Sequence, residues 1–512
     1  MGRKEDKVSL RELCWNTTRQ LQDEAMEILF KGYETSDCIE ERGFLGLIYA
    51  GDGEKRRSLY LKKIVSQGRG WVYEGEDGLS FRPQYFSRAL DEASMAYPGA
   101  GIVIVHSHPY STMSKSVSPR PSQPDLKHEK SLLFHLSNAL HKGVPLASAI
   151  LTPNGAWRVR EYKWNFLETR IGEKPHRDNN RNFSFQDAMT FRMVSSEGLE
   201  VIRRNQCVIP EVNEKAVDST LKLWGKYGQE ILNNLVVGIA GLGGVGSILV
   251  EFLARLGIGQ LILVDFDLVQ IENLNRLVGV RLNEVGKSKA KYAARIAKNA
   301  ATSKQFRVTS FSESVSEESG LVKLLDADII MNAADSAFAR QVLDHVSYAY
   351  EIPVIDGGST FVPQEDMGRM RGKSQVSVSG PGFPCLECSG VYNQEEATLA
   401  REDPESLAGD SYIKASGKPY QSLAPRNPSV ISYNGLVASI MIQRMLSLTL
   451  GFPPERRIGQ QRYYVEEGVL NWGPIGKCNA ECQKESWIGL GNSHYVPTGL
   501  DPLWKKIRGL KS

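Results

Sequence analysis

Apolar positions along the chain fall into two successive alternations of strand and helix. Within residues 10–32, Leu13, Leu21, Met26, Ile28 and Leu29 recur among charges, which predicts an amphipathic helix. The runs GFLGLIYA (43–50), SLYLKKIV and GIVIVHSHP are dense in β-formers and predict strands, whereas residues 111–124 are dominated by serine and proline and predict an irregular loop. Asp125 then opens a helical pattern through Leu140, and ASAILTP and AWRVREYKW predict closing strands. Together these imply a first α/β domain over residues 1–170. Polar, turn-prone KPHRDNNRNF (174–183) predicts a linker, set at 171–200. A second domain is expected at 201–485: NLVVGIAGLGGVGS, an apolar helix and QLILVDFD read as strand, glycine turn, helix and strand, the opening of a Rossmann-like parallel sheet. DADIIMNAAD and IPVIDGG continue the alternation, residues 486–512 are left as a tail, and no solenoid repeat occurs.

Composition narrows the classes. At 512 residues, with 41% hydrophobic and 24% charged positions, the chain has the make-up of a folded protein of more than one core. Its 62 basic and 59 acidic residues leave a net charge of +3, too balanced for a sustained basic field, so no nucleic-acid partner is expected. The start MGRKEDKVSL carries no apolar run, and Asp6 stands where a myristoylation signal has Ser or Thr. The most apolar stretch, 235–250, is glycine-rich and stops at Glu251, short of a bilayer span, so no membrane partner is expected either. Seven cysteines form no dense disulfide framework, which fits a reducing cytoplasm.

His106 and His108 stand at i and i+2 at the end of an apolar strand, so both imidazoles project from one face and one cation can bind both. Asp125 can complete a three-ligand zinc site, leaving a fourth position for a water whose pKa the metal lowers. A carboxylate must take that water's proton and pass it to the leaving amine, and Glu40 is the candidate. These residues resemble the JAMM (MPN-type) metalloproteases: Glu40 three positions before Gly43, then His106-Ser107-His108-Pro109, then Ser122-Gln123-Pro124-Asp125. The resemblance covers the first third of the chain. It implies zinc on His106, His108 and Asp125, water activation by Glu40 and oxyanion stabilisation by Ser122. Thirteen residues separate His108 from Ser122, which lengthens the loop beside the zinc relative to the family. Glu41 adjoins Glu40, and strand register decides which one faces inward.

In GLGGVGS (241–247) the glycines Gly241, Gly243, Gly244 and Gly246 let backbone N–H groups and a helix N-terminus approach phosphate. Asp265, at the end of the next strand, can accept from a ribose, and that much also describes a dehydrogenase. Asn273, Arg276 and Lys289 follow, and the added cations suit a triphosphate; Asp335, after a later strand, can hold Mg²⁺. In order and spacing this resembles the ThiF/MoeB and ubiquitin-activating family: GxGGxGS, D-x-D (Asp265, Asp267) with N-L-x-R, G-x-x-K and a later Asp. The resemblance implies ATP bound with its ribose on Asp265 and its phosphates on Arg276 and Lys289, Mg²⁺ on Asp335, and attack of a protein carboxylate on the α-phosphate. RRNQCVIPEVNE is similar to the family's arginine-bearing segment, which implies a homodimer in which Arg203 or Arg204 reaches the opposite site.

Cys385, Cys388, Cys478 and Cys482 are spaced as a four-thiolate structural zinc site, with the second pair one residue longer than the family's CxxC. No cysteine lies between Cys388 and Cys478, where thioester-forming relatives carry one; Cys14, Cys38 and Cys207 stand elsewhere, and Ser422 is an alternative nucleophile. The expected function is zinc-dependent processing of a ubiquitin-like protein and ATP-dependent adenylation of its C-terminal carboxylate, with transfer to a conjugating enzyme. Activation of a sulfur carrier with a sulfurtransferase, a non-catalytic scaffold for ubiquitin-like tails, and a dehydrogenase are the alternatives.

Overall fold

Leu13, Cys14, Trp15, Asn16 and Thr17 are buried in unbroken succession, so this stretch has no polar face to present as a surface helix. It forms strand β1 (Glu12–Thr18), parallel to β3 (Arg56–Ile64), where a helix was expected. Helix α1 (Arg19–Phe30) starts only after Thr18, whose hydroxyl accepts from the Leu21 N–H and caps it. The computed structural model describes residues 11–31, 42–75, 78–107, 129, 132, 136, 139–141, 143–164, 183–203, 215–362, 371–401, 428–451, 459–472 and 478–499. The chain divides into one unit of residues 1–193, 202–204 and 489–494 and another of 194–201, 205–488 and 495–512.

In the first unit β2 (Gly43–Asp52) is antiparallel to β3. A small sheet of β4 (Val72–Gly75) and β5 (Gly78–Phe81) precedes helix α2 (Pro83–Met95). β6 (Gly101–Ser107) pairs antiparallel with β2 and parallel with β7 (Leu146–Leu151), and β8 (Trp157–Trp164) follows. Trp15, Phe44, Ile48, Val103, Val105, Ala149 and Val159 form its core.

Residues 183–200 were expected to be linker. Those described form β9 (Phe183–Asp187), β10 (Thr190–Ser195) and β11 (Gly198–Arg203), and the division between units falls inside the β10–β11 hairpin. β9 pairs antiparallel with β8, with Phe185 6.3 Å from the Tyr162 ring. Residues 489–494, expected in a tail, belong to the first unit, where Asn492 donates to Asp52.

The second unit is a doubly wound sheet with an antiparallel extension. Helix α3 (Asp218–Asn234) leads into β12 (Val236–Ala240), helix α4 (Gly244–Arg255) and β13 (Gln260–Val264). Helix α5 (Lys289–Ala300), β14 (Arg307–Phe311), helix α6 (Glu318–Leu324) and β15 (Ile329–Asn332) come next. Helix α7 (Ala337–Ala349) then leads to β16 (Val354–Val362) and β17 (Arg371–Ser379). Helices α8 (Gln394–Arg401) and α9 (Ile431–Leu450), strands β18 (Gln461–Tyr464) and β19 (Val469–Trp472) and the short helix α10 (Lys484–Trp487) complete it. The strand order is β14-β13-β12-β15-β16-β17-β18-β19, parallel through β16 and antiparallel beyond. Every residue of β12 is buried, as a parallel strand covered on both faces requires. Among the described residues no helix is long and apolar enough to cross a membrane.

Candidate functional site

β13 and β14 lie on one side of β12, and β15 and β16 on the other. At such a switch point the connections diverge and leave a crevice beyond the carboxyl ends of the strands. Ala240 ends β12 opposite Val264 and Asn332, and the glycine turn follows directly. Gly241 has φ +82°, and a Cβ there would lie 2.7 Å from the Ala334 nitrogen. At Gly246 a Cβ would meet the Gly241 oxygen at 2.0 Å, and at Gly244 the Asn434 side chain at 2.1 Å. These three glycines are therefore required for the turn, the helix start and their neighbours to approach so closely. Gly243 differs: nothing lies within 4 Å of its would-be Cβ, so this side of the turn is open. With α4 starting at Gly244, the turn's N–H groups and the helix dipole offer a site for an anion.

Asp265 is buried beneath that turn. One carboxylate oxygen accepts from the Leu242 N–H at 2.6 Å and the other from the Asp267 N–H at 2.7 Å. Lys289, at the start of α5, donates to Asp267 at 2.7 Å. Burial pushes the Asp265 carboxyl up to about 6 against the pull of Lys289, with Asp267 adding to the rise. Burial also opposes the charge on Lys289, but Asp265, Asp267 and Asp335 offset it and hold its pKa above the ordinary lysine value. Asp335, exposed just before α7, thus faces the same mouth. Asn273 is buried and accepts from the Gln270 N–H, shaping its own turn. Arg276 donates to the Glu272 carbonyl and to Asn275, at the half-exposed rim. The structure thereby brings Asp265, Asp267, Lys289 and Asp335 together beside the glycine turn.

The buried carboxylate sets a pH dependence. As pH falls through about 6, Asp265 takes up a proton and one oxygen ceases to be a pure acceptor. A ligand that donates a hydrogen bond to this carboxylate is expected to bind severalfold more weakly at pH 5.5 than at pH 7. The stability term has the opposite sign, since a carboxyl whose folded pKa is raised favours the fold more as pH drops. An affinity flat across this range excludes Asp265 as an acceptor for that ligand.

The Sγ atoms of Cys385, Cys388, Cys478 and Cys482 all lie within 4.8 Å of one another. The Cys385–Cys482 separation is 3.9 Å, close to the roughly 3.8 Å edge of a tetrahedron with 2.3 Å metal–sulfur bonds. Backbone N–H groups of Cys385 and Cys388 point at the sulfurs of Cys478 and Cys385, each at 3.2 Å, as suits thiolates. This donor set fits zinc. The extra residue in the second pair does not prevent closure. Beneath it, sequence reasoning missed a buried ion pair, Asp344 with Lys484, because each residue alone reads as a surface charge on a helix.

In the first unit His106 is buried on β6, opposite Gly43 of β2, and Ser107 Oγ accepts from the Arg42 N–H at 2.9 Å. By alternation His106 shares a face with Ile104, Ser148 and Arg160. Glu129 is buried on that face, bonded to Arg160 and to the Tyr162 hydroxyl. His108, Ser122, Asp125, Glu40 and Glu41 lie outside the described residues, as do Arg204, Cys38, Cys207 and Ser422. Arg203, one of the two arginines expected to reach a partner's site, donates to Thr190 and pairs with Glu12 within its own chain. Cys14 is buried in β1 with its thiol toward Asn16.

Residues 217–472 match the model of the ThiF family. The chain is 29% identical over 167 residues to an "Adenylyltransferase and sulfurtransferase MOCS3" of Caenorhabditis briggsae, covering 32% of this chain and 39% of that one. It is 30% identical over 166 residues to "SUMO-activating enzyme subunit uba-2" of Caenorhabditis elegans, covering 32% and 26%. Against "Molybdopterin-synthase adenylyltransferase" of Escherichia coli (strain K12) it is 28% identical over 174 residues, covering 33% and 65%. The chain thus spans between about a quarter and two thirds of these relatives' lengths. A glycine turn at the switch point of a doubly wound sheet and a family match over half of the residues lead to one assignment: the protein belongs to the ThiF family.

Proposed function

We propose that this protein joins two enzymes that act on one kind of substrate, the C-terminal tail of a ubiquitin-like protein. The ThiF-family half adenylates the tail with ATP, and residues 1–170 form a JAMM-type zinc isopeptidase that processes or deconjugates it. The observation that carries the first half is the Asp265–Asp267–Lys289 network beside the open side of the glycine turn, with Asp335 at the same mouth.

In the adenylation step the substrate carboxylate attacks the α-phosphorus of ATP, one P–O bond forms, one breaks, and pyrophosphate leaves. Turn N–H groups hold phosphate oxygens and Asp265 takes the ribose hydroxyls, while Lys289 and Arg276 offset the growing negative charge. Mg²⁺, which Asp335 would hold, supplies further neutralisation of the leaving pyrophosphate. No cysteine stands between Cys388 and Cys478, so the acyl-adenylate is passed directly to a conjugating enzyme or a sulfur donor, or first to another nucleophile such as Ser422. The relative named as both adenylyltransferase and sulfurtransferase favours a second reading, in which the tail belongs to a sulfur carrier and a sulfurtransferase receives it. The active form is a homodimer through the ThiF-family half, in the cytoplasm. ATP–pyrophosphate exchange stimulated by ubiquitin-like proteins of the same genome tests this reading, and exchange with none of them overturns it.

The isopeptidase half rests on the buried His106 beside Gly43 and on the Glu129 anchor on the same sheet face. When bound, zinc would supply a water of lowered pKa, held through His106, His108 and Asp125, with Glu40 as proton acceptor and Ser122 toward the oxyanion. The four cysteines would hold a second, structural zinc. Glu40→Gln is therefore expected to keep two zinc ions per protomer by elemental analysis while losing cleavage of a ubiquitin-like precursor, with a loss of about a hundredfold or more. Glu41→Gln is the control for strand register. Normal cleavage by both variants removes this base from the mechanism.

A further inference from the structure

Asp335 sits on the short turn between β15 and α7, and both ends of that turn are tied to one buried carboxylate. Asn332, the last residue of β15, lies opposite Asp356 of β16, and its Nδ2 donates to Asp356 Oδ2 at 2.7 Å. The other end of the Asn332 amide accepts from the Ala334 N–H at 3.2 Å, so the same side chain holds the backbone next to Asp335. On the far side, Arg340 in the first turn of α7 donates through Nε to the same Oδ2 at 3.3 Å. Gly358 leaves room for this arginine: a Cβ there would lie 3.0 Å from its terminal nitrogen. The turn's other flank is pressed against Gly241, whose would-be Cβ meets Ala334 at 2.7 Å.

Asp356 is 1% exposed. Burial raises its pKa, while Arg340 and Asn332 pull it down. Its second oxygen has no partner among the described residues. A carboxylate so buried is expensive to keep ionised, and an apolar residue on β16 would pack at lower cost. What the carboxylate provides is a single fixed point for two donors that flank Asp335.

Resting on the nucleotide reading above, we propose that Asn332, Asp356 and Arg340 form a clamp that positions Asp335 for Mg²⁺, acting on the metal only through that turn. Outer partners of a metal ligand set the ligand's orientation, and losing one weakens metal binding by about 10–100-fold. The clamp therefore governs how much Mg²⁺ the site needs and leaves metal-independent contacts to the nucleotide alone.

The test uses the full chain and a fluorescent N-methylanthraniloyl ATP. Its anisotropy is titrated with Mg²⁺, and separately measured in EDTA. Asn332→Ala and Asp356→Ala are each expected to raise the half-saturating Mg²⁺ about tenfold, with the double variant no worse than either. Binding in EDTA should stay within about twofold of wild type if only the metal contact is disturbed. Arg340→Gln, at a half-buried position less exposed to folding failure, should raise the requirement at least about threefold, and Arg340→Lys should restore most of it. Unchanged Mg²⁺ requirement in folded variants, or additive effects in the double variant, overturns the clamp and leaves the nucleotide site standing. Wild-type protein that does not bind the analogue overturns the nucleotide reading and the clamp with it.

Discussion

Asp335→Ala is expected to lower ATP–pyrophosphate exchange by roughly a thousandfold, the equivalent of the several kcal/mol that a bound cation contributes to a transition state of this charge. The side chain is exposed, precedes Ser336, the cap of α7, and contributes to the raised pKa of Lys289 across the mouth. Because Ser336 supplies the cap by accepting from the Ala339 N–H, removing the neighbouring carboxylate leaves the helix start intact, and stability should change little. ATP binding in EDTA should also survive, since the glycine turn, Asp265 and Lys289 remain. Cleavage of a ubiquitin-like precursor serves as the second readout, because His106 belongs to a different unit from Asp335. Loss of exchange together with cleavage in a folded variant contradicts the assignment of two separate sites. Exchange within about tenfold of wild type removes Asp335 from the metal, because one missing ligand of a catalytic cation costs more than that.

Much of the second unit was legible because its signals are local. A glycine turn between a fully buried strand and an apolar helix can be read within a dozen residues, and β12, β13, β15 and β16 fall on the runs read from the sequence. The cysteine pairs were equally plain, since thiolate spacing is itself the geometric constraint. β1 was misread for a physical reason: residues 13–17 are buried on both faces, so no period-2 alternation marks the strand, and the helix behind it lent its own spacing. Polar composition made residues 171–200 look like linker, yet Phe183 to Asp187 pair with β8 along their whole length, a long-range register that local composition does not signal. The same limit hid Asn332, Asp356 and Arg340, which a sequence shows as three unrelated polar residues; strand register brings the first two together and α7 brings the third.

Lys484→Met is expected to destabilise the ThiF-family half by about 3–5 kcal/mol, the usual cost of leaving one member of a buried ion pair alone. Lys484 is 3% exposed and Asp344 fully buried. The ammonium donates to Asp344 at 2.5 Å, to the Tyr392 hydroxyl at 3.1 Å and to Glu387 at 3.2 Å. Asp344 further accepts from Ser379 at 2.6 Å and the Leu386 N–H at 2.9 Å, so this one carboxylate joins α7, the end of β17, the first cysteine pair and α10. Burial disfavours the lysine charge, but Asp344, Tyr392 and Cys385 together offset it and hold the Lys484 pKa above the ordinary lysine value. Methionine matches the apolar stem and removes only the charge and its three donors. The measurement is equilibrium unfolding in urea, with zinc content checked on the same samples. Asp344→Asn combined with Lys484→Met should recover part of the loss, because an amide can still accept from Ser379 or Leu386 and no buried charge remains. Nucleotide affinity of the variant, measured where it is folded, should match wild type, since neither residue touches the glycine turn. A loss below about 1 kcal/mol, with zinc retained, means that the pair is no more than a surface-type ion pair in effect, and that the cysteine site alone holds this end of the domain together.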